Sequence, residues 1–208
     1  MIKIALVDDH VVLRQSLGVL IHKLEDFTVV FEADNGKHLD EQLQIHSLPD
    51  IILLDVTMPV VDGFETASWL KQKYPQIKVL ALSMLDNELV VIRMLKNGVR
   101  GYILKDCEPE ELLNALHKVH DQGYYYNDLV TPKMNFQNLP PDLVILNPQE
   151  LSFLKWTCTE LTHKQIAHEM KVSPRTVDGY RDSLFRKLEV NSRVGLAVYA
   201  IKNGFVRV

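Results

Sequence analysis

The sequence predicts an α/β fold, a five-stranded doubly wound parallel sheet, followed by an all-α domain of four helices. Short apolar runs alternate with helical patterns up to about residue 121, whereas every pattern after residue 146 is helical. Short continuous runs suit strands that are buried on both faces of a parallel sheet, and their alternation with helices favours right-handed crossovers. At 208 residues the chain is long enough for two domains that each bury a core.

Five apolar runs mark the predicted strands of the first domain. Four of them end directly before polar side chains, which are residues 4–7 before Asp8-Asp9, 51–54 before Asp55, 79–82 before Ser83 and 102–104 before Lys105. The fifth run covers residues 29–31. Apolar residues recur at helical spacing between the runs, so we expect helices at about 12–24, 38–45, 63–74, 87–97 and 108–121.

Helix-start signals divide the second domain. Asn147 with Glu150 and Thr162 with Gln165 have the spacing of capping boxes, and Ser173-Pro174 places a proline in the first turn. A fourth helix is expected over residues 193–202, with Asn203-Gly204 ending it. Four short helices with a tight turn at residues 170–172 predict a helix-turn-helix bundle.

The predicted domains are residues 1–123 and 145–208, joined by a linker over residues 124–144. The periodicity is lost in the linker, which contains Pro140-Pro141 and a run of three tyrosines at 124–126. The tyrosines are too apolar for a fully solvated tether. We therefore expect the linker to pack in part against the last helix of the first domain.

Charge and composition narrow the range of functions. Residues 1–144 carry 13 basic and 21 acidic side chains, whereas residues 145–208 carry 10 and 6, so the second domain is suited to approach a polyanion. The acidic pair at the N-terminus argues against a signal peptide, and no segment is apolar enough for a membrane span. Two cysteines without a CxxC spacing exclude a disulfide framework. We expect a cytoplasmic protein without a membrane partner.

The polar residues after the strands indicate phosphoryl chemistry. The carboxyl ends of parallel strands open on one side of a sheet, so Asp8, Asp9, Asp55, Ser83 and Lys105 should meet in one crevice. Converging carboxylates raise one another's pKa unless a cation neutralises them, and Mg²⁺ takes carboxylates while keeping positions for phosphate oxygens. A lysine and a hydroxyl can hold a phosphate, and an aspartate can attack phosphorus. The scattered histidines and the two cysteines form no comparable site.

This pattern resembles the receiver domain of two-component response regulators, which is flavodoxin-like. The resemblance rests on Asp8-Asp9, Asp55 with Met58-Pro59 and Gly63, Ser83, and Tyr102 three residues before Lys105. It implies that Asp55 is the phosphoacceptor and that Lys105 contacts the phosphate. It also implies that Asp9 binds Mg²⁺ directly, that Asp8 is an outer ligand, and that the carbonyl of Thr57 completes the set.

The resemblance further implies that Ser83 and Tyr102 form a switch pair, in which the hydroxyl moves toward the phosphate and the ring turns inward. Many receivers have a cis proline after the lysine, whereas this chain has Asp106. A cis peptide at that position would cost about 3 kcal/mol more than trans, so the geometry of this loop stays open.

The second domain is similar to the LuxR-type helix-turn-helix, and the whole chain resembles the NarL/FixJ family of response regulators. The resemblance rests on residues 146–150, 164–167, 172–177 and 186–188. It implies that the third helix enters the major groove of double-stranded DNA and that the fourth helix forms a dimer. Residues expected to face the groove or the phosphates are Lys164, Lys171, Arg175, Thr176, Asp178, Gly179, Arg181, Asp182, Arg186 and Lys187.

Asp178 and Asp182 stand where relatives often have basic residues, and three roles stay open for them. They could accept a hydrogen bond from cytosine N4, they could weaken attraction to all DNA sequences, or they could pair with Arg175, Arg181 or Arg186. The base preference of relatives therefore cannot be carried over to this chain.

We expect a response regulator, not an enzyme, in which a partner histidine kinase phosphorylates Asp55 and phosphorylation favours a homodimer that binds DNA. The candidate dimer surface is the helix at 87–97 with its neighbours, because Val90, Val91, Met94 and Leu95 should not all fit one buried stripe. One alternative is a DNA-binding regulator with a vestigial receiver. Another is a Mg²⁺-dependent phosphohydrolase, although Thr57 stands where that class has an acidic proton donor.

Overall fold

The computed structural model describes residues 1–125, 127, 130 and 146–206. The chain divides into two compact units, residues 1–136 and 137–208. The predicted domain boundaries therefore stay a prediction, since most of the predicted linker lies outside the described residues. Within the described ranges, every helix is too short or too polar to cross a membrane.

The first unit contains five parallel strands with five helices between and after them, which confirms the predicted fold class. The strands are β1 (Ile2–Val7), β2 (Phe27–Ala33), β3 (Ile51–Asp55), β4 (Lys78–Ser83) and β5 (Gly101–Leu104), in the spatial order β2-β1-β3-β4-β5. The helices are α1 (Val11–His22), α2 (Gly36–Ile45), α3 (Gly63–Lys73), α4 (Glu88–Lys96) and α5 (Pro109–Gln122). The strand order reverses between β1 and β3, so the carboxyl ends of these two strands flank the crevice in which such sheets bind ligands.

The strands are continuous apolar runs because both faces of the sheet are covered. In β1, Ala5 and Val7 belong to the core cluster on the side of α3 and α4, whereas Ile4 and Leu6 belong to the cluster on the side of α5. All four residues are buried. Burial of alternate residues on opposite faces removes the usual apolar–polar alternation and leaves the strand end as the position for polar residues.

The connection from β3 to α3 is held close to the sheet by Gly63. A Cβ atom at this position would lie 2.3 Å from the carbonyl oxygen of Asp55, a distance that no side chain tolerates. The N–H of Gly63 donates to the carbonyl of Val56, and Asp62 caps α3 by accepting the N–H of Glu65. The glycine thus allows α3 to begin directly beside the last residue of β3.

The structure contradicts the expectation that α4 exposes part of its apolar surface. Val90, Val91 and Met94 are fully buried, and Leu95 packs partly against the same core cluster. The buried face of α4 is wider than one stripe because the helix contacts both the sheet and α3. These residues are therefore unsuited to form a dimer surface.

The second unit is a bundle of α6 (Pro148–Thr157), α7 (His163–Glu169), α8 (Pro174–Lys187) and α9 (Arg193–Lys202). Asn147 and Thr162 form capping boxes with Glu150 and Gln165, as their spacing predicts. Ser173 and Ser192 cap the other two helices. The core combines residues from all four helices, which are Phe153, Leu154, Ile166, Val177, Leu184 and Leu196.

Val60 adopts a backbone conformation that suits glycine better than valine. Its φ angle is 68°, and the N–H of Val61 donates to the carbonyl of Pro59 across it, which forms a tight three-residue turn. A β-branched residue is disfavoured there, and 76% of the Val60 side chain is exposed, so packing offers little compensation.

We predict that Val60→Gly raises the free energy of unfolding of the first unit by about 0.5–1 kcal/mol, because relief of the backbone strain outweighs the added entropy of the unfolded chain. Urea denaturation followed by the fluorescence of Trp69 would measure the change. Val61→Gly is the matched control, because the Val61 backbone is not in the left-handed region and its side chain packs against Gly36. That control should be destabilised, and a destabilised Val60→Gly would contradict the assignment of strain.

Candidate functional site

Acidic side chains converge at the carboxyl end of the sheet, as the sequence predicts. Asp8 follows β1 and is 3% exposed, and Asp55 ends β3 and is 2% exposed. Potential ligand atoms of Asp8, Asp9, Asp55 and His10 all lie within 4.8 Å of one another. The adjacency of β1 and β3 brings these groups together, although they are separated by more than forty residues in the chain.

Lys105 reaches this cluster from the end of β5. Its ammonium nitrogen lies 2.7 Å from Oδ2 of Asp8 and 2.9 Å from Oδ2 of Asp55, and its side chain is almost completely buried. The N–H of Lys105 donates to the carbonyl of Ser83 at 2.9 Å, which joins the ends of β4 and β5. The structure thus brings Asp8, Asp9, Asp55, Ser83 and Lys105 to one edge of the sheet.

The Asp55 carboxylate is buried among opposing charges. Burial raises the pKa of Asp55, and the neighbouring Asp8 raises it further, whereas Lys105 and a hydrogen bond from the N–H of Thr57 lower it. The raising effects prevail. The ionised form is therefore less stable in the folded protein than in the unfolded chain, and an additional cation at the site would relieve this imbalance.

The carboxylate oxygens suit a hard divalent cation. Oδ2 of Asp8 and Oδ2 of Asp55 are buried, and within the described residues the cation that faces both of them is the Lys105 ammonium. Oxygen ligands of this type are those that Mg²⁺ binds in proteins. Thr57 follows two residues after Asp55 and donates its backbone N–H to the Asp55 carboxylate. Its carbonyl oxygen stays a predicted ligand of the cation.

His10 and Arg14 belong to the site but were missed at the sequence level. Nδ1 of His10 lies 3.1 Å from Asp8 and 3.3 Å from Asp9, and the backbone N–H of His10 donates to the Asp8 carboxylate at 2.8 Å. The Arg14 guanidinium on α1 donates to the carbonyl of Asp8 and, at 2.8 Å, to the carboxylate of Glu32. His10 could have been assigned to the site because it directly follows the acidic pair in the sequence. Nothing in the sequence spacing indicated that Arg14 would contact Asp8.

Ser83 and Tyr102 are connected through Leu85, which lies in the loop between β4 and α4. The hydroxyl oxygen of Ser83 accepts the N–H of Leu85 at 3.2 Å, and the Tyr102 hydroxyl donates to the carbonyl of Leu85 at 2.5 Å. Both residues are fully buried, and burial raises the pKa of Tyr102 above its usual range. The aromatic ring thus occupies the inward position, and movement of either member of the pair would displace the other through Leu85.

The Lys105–Asp106 peptide is trans, because none of the described peptide bonds is cis. The chain turns away from β5 through a hydrogen bond from the N–H of Cys107 to the carbonyl of Leu104. The lysine is therefore positioned without the cis proline that many receivers have at this point.

In the second unit, α8 presents an exposed face opposite its buried residues. Val177 and Leu184 are buried, whereas Arg175, Gly179, Asp182 and Arg186 are exposed at helical spacing. Lys164 on α7 and Lys171 in the turn before α8 are also exposed. Thr176 is partly buried, and its hydroxyl lies 2.8 Å from that of Ser173.

Arg181 is engaged by both acidic residues of α8. Its guanidinium lies 3.1 Å from Asp178 and 2.8 Å from Asp182, and Asp178 is also 3.4 Å from Nδ1 of His163. Of the three roles left open for these acids, pairing with an arginine is therefore present in the structure. The pairing reduces the charge that Arg181 can present to DNA.

Lys187 is held by Glu150 at the start of α6. Its ammonium lies 2.7 Å from Glu150, which also accepts hydrogen bonds from the hydroxyl of Ser183 at 2.6 Å and the N–H of Asn147 at 3.0 Å. Burial raises the pKa of Glu150, but these hydrogen bonds and the lysine charge outweigh burial, and the pKa is lowered. Lys187 thus joins α8 to the cap of α6, a role that the sequence did not indicate.

Comparison with known proteins identifies the family of the chain. Residues 4–117 match the family model described as the response regulator receiver domain, and residues 144–200 match that of bacterial regulatory proteins, luxR family. The nitrate/nitrite response regulator protein NarL of Escherichia coli K12 is 36% identical over 205 residues, which cover 94% of this chain and 93% of NarL. The chain belongs to the NarL/FixJ family of response regulators.

Other relatives match this response regulator over almost their whole length. The transcriptional regulatory protein DegU of Brevibacillus brevis is 30% identical, and the match covers 100% of this chain and 96% of DegU. A solved structure of Salmonella RcsB bound to the rprA promoter has a TM-score of 0.63 at 21% identity, and the match covers 97% of this chain and 99% of RcsB. This last likeness shows that the fold is shared.

We predict that Asp55→Asn stabilises the folded protein at neutral pH, since it removes a buried charge whose ionised form is disfavoured. Below about pH 3 the carboxyl is protonated in both the folded and the unfolded wild-type protein, so the difference should vanish there. As the pH rises through the raised pKa of Asp55, the wild type should lose stability relative to the variant. Urea denaturation of both proteins across this range measures the difference, and a variant that is less stable at pH 7 would contradict the prediction.

We predict that Glu150→Gln destabilises the second unit by about 1–3 kcal/mol at pH 7, because hydrogen bonds to a buried charged group are lost or weakened. The pKa of Glu150 is lower in the folded state, so its contribution is complete above about pH 5 and is lost as the pH falls through the folded pKa. Thermal unfolding followed by the fluorescence of Trp156 measures the difference at several pH values. Glu160→Gln, at an exposed position, is the control and should leave the midpoint unchanged.

Proposed function

We propose that a partner sensor histidine kinase phosphorylates Asp55 and that phosphorylation changes the binding of the α6–α9 unit to double-stranded DNA. The observation that supports the proposal is the convergence of Asp8, Asp9 and Lys105 around Asp55 at the switch point of the sheet. A DNA-binding regulator acts where the chromosome is, so we propose a cytoplasmic location.

Asp55 acts as the nucleophile. One of its carboxylate oxygens forms a bond to phosphorus while the bond between phosphorus and the kinase histidine nitrogen breaks, and the imidazole leaves. The Lys105 ammonium lies close enough to Oδ2 of Asp55 to hold an oxygen of the transferred group. Mg²⁺, which Asp8, Asp9, Asp55 and the Thr57 carbonyl would hold, supplies neutralisation of the accumulated negative charge.

The residues around Asp55 favour a lasting phosphoaspartate over rapid turnover. Hydrolysis by a phosphohydrolase of the aspartate class needs an acid two residues after the nucleophile, and this chain has Thr57. Thr57 contributes its backbone N–H to Asp55 at 3.1 Å, and its side chain has no titratable proton for a leaving group. The protein is therefore proposed to be a switch and not an enzyme in the sense of turnover.

Exposed apolar side chains near the acidic residues support docking of a protein partner. Val11 and Val12 begin α1 directly after the acidic pair, Val60 lies in the turn after β3, and Met84 follows Ser83, and all four are exposed. They lie on loops and helix starts at the same edge of the sheet as Asp55. Apolar surface of this kind around a reacting group fits a kinase that must exclude water during transfer.

The α9 helix supports the proposed homodimer. Val194, Val198 and Ile201 are exposed, and their spacing places them on one face of the helix. A solved structure of a related protein, named as two RcsB dimers bound to two parallel DNAs, has a TM-score of 0.63 with this chain. We propose that the α9 face forms the dimer and that phosphorylation shifts an existing equilibrium toward it.

We predict that acetyl phosphate with Mg²⁺ adds one phosphoryl group to the protein, since a small acyl phosphate can replace the kinase as donor. Mass spectrometry of the intact protein should detect the adduct in the wild type and not in Asp55→Asn or Asp9→Ala. Asp106→Asn, which neutralises an acid next to the site, is the control and should keep the adduct. An unmodified wild type would favour the vestigial-receiver alternative, and rapid release of phosphate would favour the phosphohydrolase.

We predict that Val198→Glu lowers the affinity of the phosphorylated protein for DNA by about tenfold or more, because a charge in an apolar dimer face opposes association. Sedimentation with the phosphate mimic beryllium trifluoride should show the wild type as a dimer and the variant as a monomer. Ile45→Glu, at an exposed apolar position of α2, is the matched control. Equal dimerisation of the wild type and Val198→Glu would exclude this face.

A further inference from the structure

Gly179 is the only member of the exposed stripe of α8 without a side chain. The stripe consists of Arg175, Gly179, Asp182 and Arg186. A Cβ atom at position 179 would have no heavy atom within 4 Å, and the backbone there is not left-handed. Neither packing nor conformation within the described part of the chain therefore requires a glycine at this position.

A glycine without a steric reason is unexpected in the middle of a helix, because only proline is less favourable there. Glycine allows the backbone to approach a ligand closely, and the major groove is only just wide enough for an α-helix. We propose that Gly179 is the point of closest approach between α8 and DNA, so that even a methyl group would push the helix outward. This proposal rests on the proposed DNA-binding function.

Gly179→Ala tests the proposal because stability and binding should change in opposite directions. The thermal midpoint of the second unit should rise by about 4–8 °C, since alanine favours the helix. Affinity for DNA fragments that the wild type selects from a random pool should fall by about tenfold or more. Gly18→Ala in α1 is the matched control, because a Cβ there meets only ordinary contacts at 3.7 Å, and its DNA binding should equal that of the wild type.

Wild-type affinity in Gly179→Ala would overturn the proposal. A wild type that enriches no fragment would instead refute the DNA-binding function itself, so the two failures are distinguishable. The thermal midpoint shows whether Gly179→Ala is folded. A lower midpoint than that of the wild type would show that the glycine is needed within the protein, and it would also overturn the proposal.

A separate observation concerns three residues that follow α5, Tyr125, Asn127 and Val130, which we call the edge strap. Tyr125 donates its N–H to the carbonyl of Arg100 at 2.8 Å, and the Asn127 amide donates to the carbonyl of Tyr102 at 3.2 Å. The strap therefore follows the free edge of β5 with the two-residue spacing of a strand.

The edge strap packs on both faces of the sheet. Tyr125 belongs to the core cluster on the side of α5, whereas the fully buried Val130 belongs to the cluster on the side of α4. Glu111 on α5 accepts hydrogen bonds from the hydroxyl of Tyr125 and the amide of Asn127, both at 3.2 Å. Tyr125 and Val130 thus pack on opposite faces of the sheet, and these two residues of the predicted linker belong to the core of the first unit.

The strap contacts the strand that carries Tyr102 and leads to Lys105. Asn127 is bonded to the backbone of Tyr102, and Val130 shares a core cluster with Tyr102 and Leu85. A shift of the Ser83 hydroxyl toward a phosphate would disturb Leu85 and then Tyr102, which Leu85 holds. Contiguous contacts therefore join the phosphoryl site to the start of the linker.

We infer that the edge strap couples the receiver to the linker, so that its docking on β5 differs between the unphosphorylated and phosphorylated states. This inference also rests on the proposed function. The coupling must be reciprocal, because a group that distinguishes two states of the receiver shifts the equilibrium between them. Loss of the strap contacts should then reduce the response of DNA binding to phosphorylation without preventing phosphorylation.

The test compares the wild type with Asn127→Ala and Val130→Ala. For each protein, DNA affinity is measured with and without Mg²⁺ and beryllium trifluoride, and the phosphoryl adduct from acetyl phosphate is measured by mass. The ratio of the two affinities should be about 5–150 in the wild type and should fall at least about threefold in both variants, with the adduct retained. Val29→Ala in β2, at the opposite edge of the sheet, is the control and should keep the ratio.

Amide hydrogen exchange of residues 124–130 in the wild type provides a second measurement that does not depend on the variants. Exchange should change when beryllium trifluoride binds. An unchanged exchange rate, or unchanged affinity ratios in both variants, would overturn the coupling role. If the wild type itself shows no difference in DNA affinity, the phosphorylation switch fails as well, and the mass measurement shows whether the receiver was modified.

Discussion

The Lys105 ammonium holds together the two most deeply buried carboxylates of the phosphoryl site. Lys105 extends from the end of β5, past the end of β4, to Asp55 at the end of β3 and Asp8 directly after β1. Without it, two adjacent acids would face each other in a medium that screens charge poorly. A lysine suits this position because its long, flexible side chain carries a compact charge, whereas a planar guanidinium would require a fixed geometry. The lysine therefore compensates part of the negative charge that the buried acids place at this edge of the sheet.

Basic side chains also have a structural role in the second unit. Two of those that were expected to face DNA are paired with acidic side chains of the protein. Glu150 links the cap of α6 to Lys187 on α8, and Arg181 is shared by Asp178 and Asp182. The Glu150–Lys187 pair joins α8 to α6, whereas the pairs of Arg181 lie within α8 and hold three charged side chains of that helix together. The remaining basic residues, Arg175 and Arg186, lie near the two ends of the exposed stripe. The charge pattern of the exposed face of α8 therefore differs from that of a helix with basic residues along its whole length.

The fold was predictable from the sequence because its elements are locally encoded. The strands are apolar runs because both faces are buried, and Asn147, Thr162 and Ser173 cap helices where their spacing indicates. The five polar residues at the strand ends converge because strand order alone brings them together. In contrast, the contact of Arg14 with Asp8 and the pairing of Lys187 with Glu150 depend on how separate elements pack in three dimensions. The spacing of residues along the sequence does not show this packing. The burial of α4 was wrongly predicted because two neighbouring elements cover it, and the sequence pattern of one helix does not show how many neighbours it has.

The pairing of Arg181 and Lys187 within the protein has a consequence for the thermodynamics of DNA association. Binding to DNA releases condensed counterions in proportion to the number of phosphates that protein cations neutralise, and the salt dependence of affinity follows that number. Cations already neutralised by Asp178, Asp182 and Glu150 release fewer counterions when they approach DNA. The affinity of this regulator for DNA should therefore depend less steeply on ionic strength than it would if Arg181 and Lys187 were unpaired.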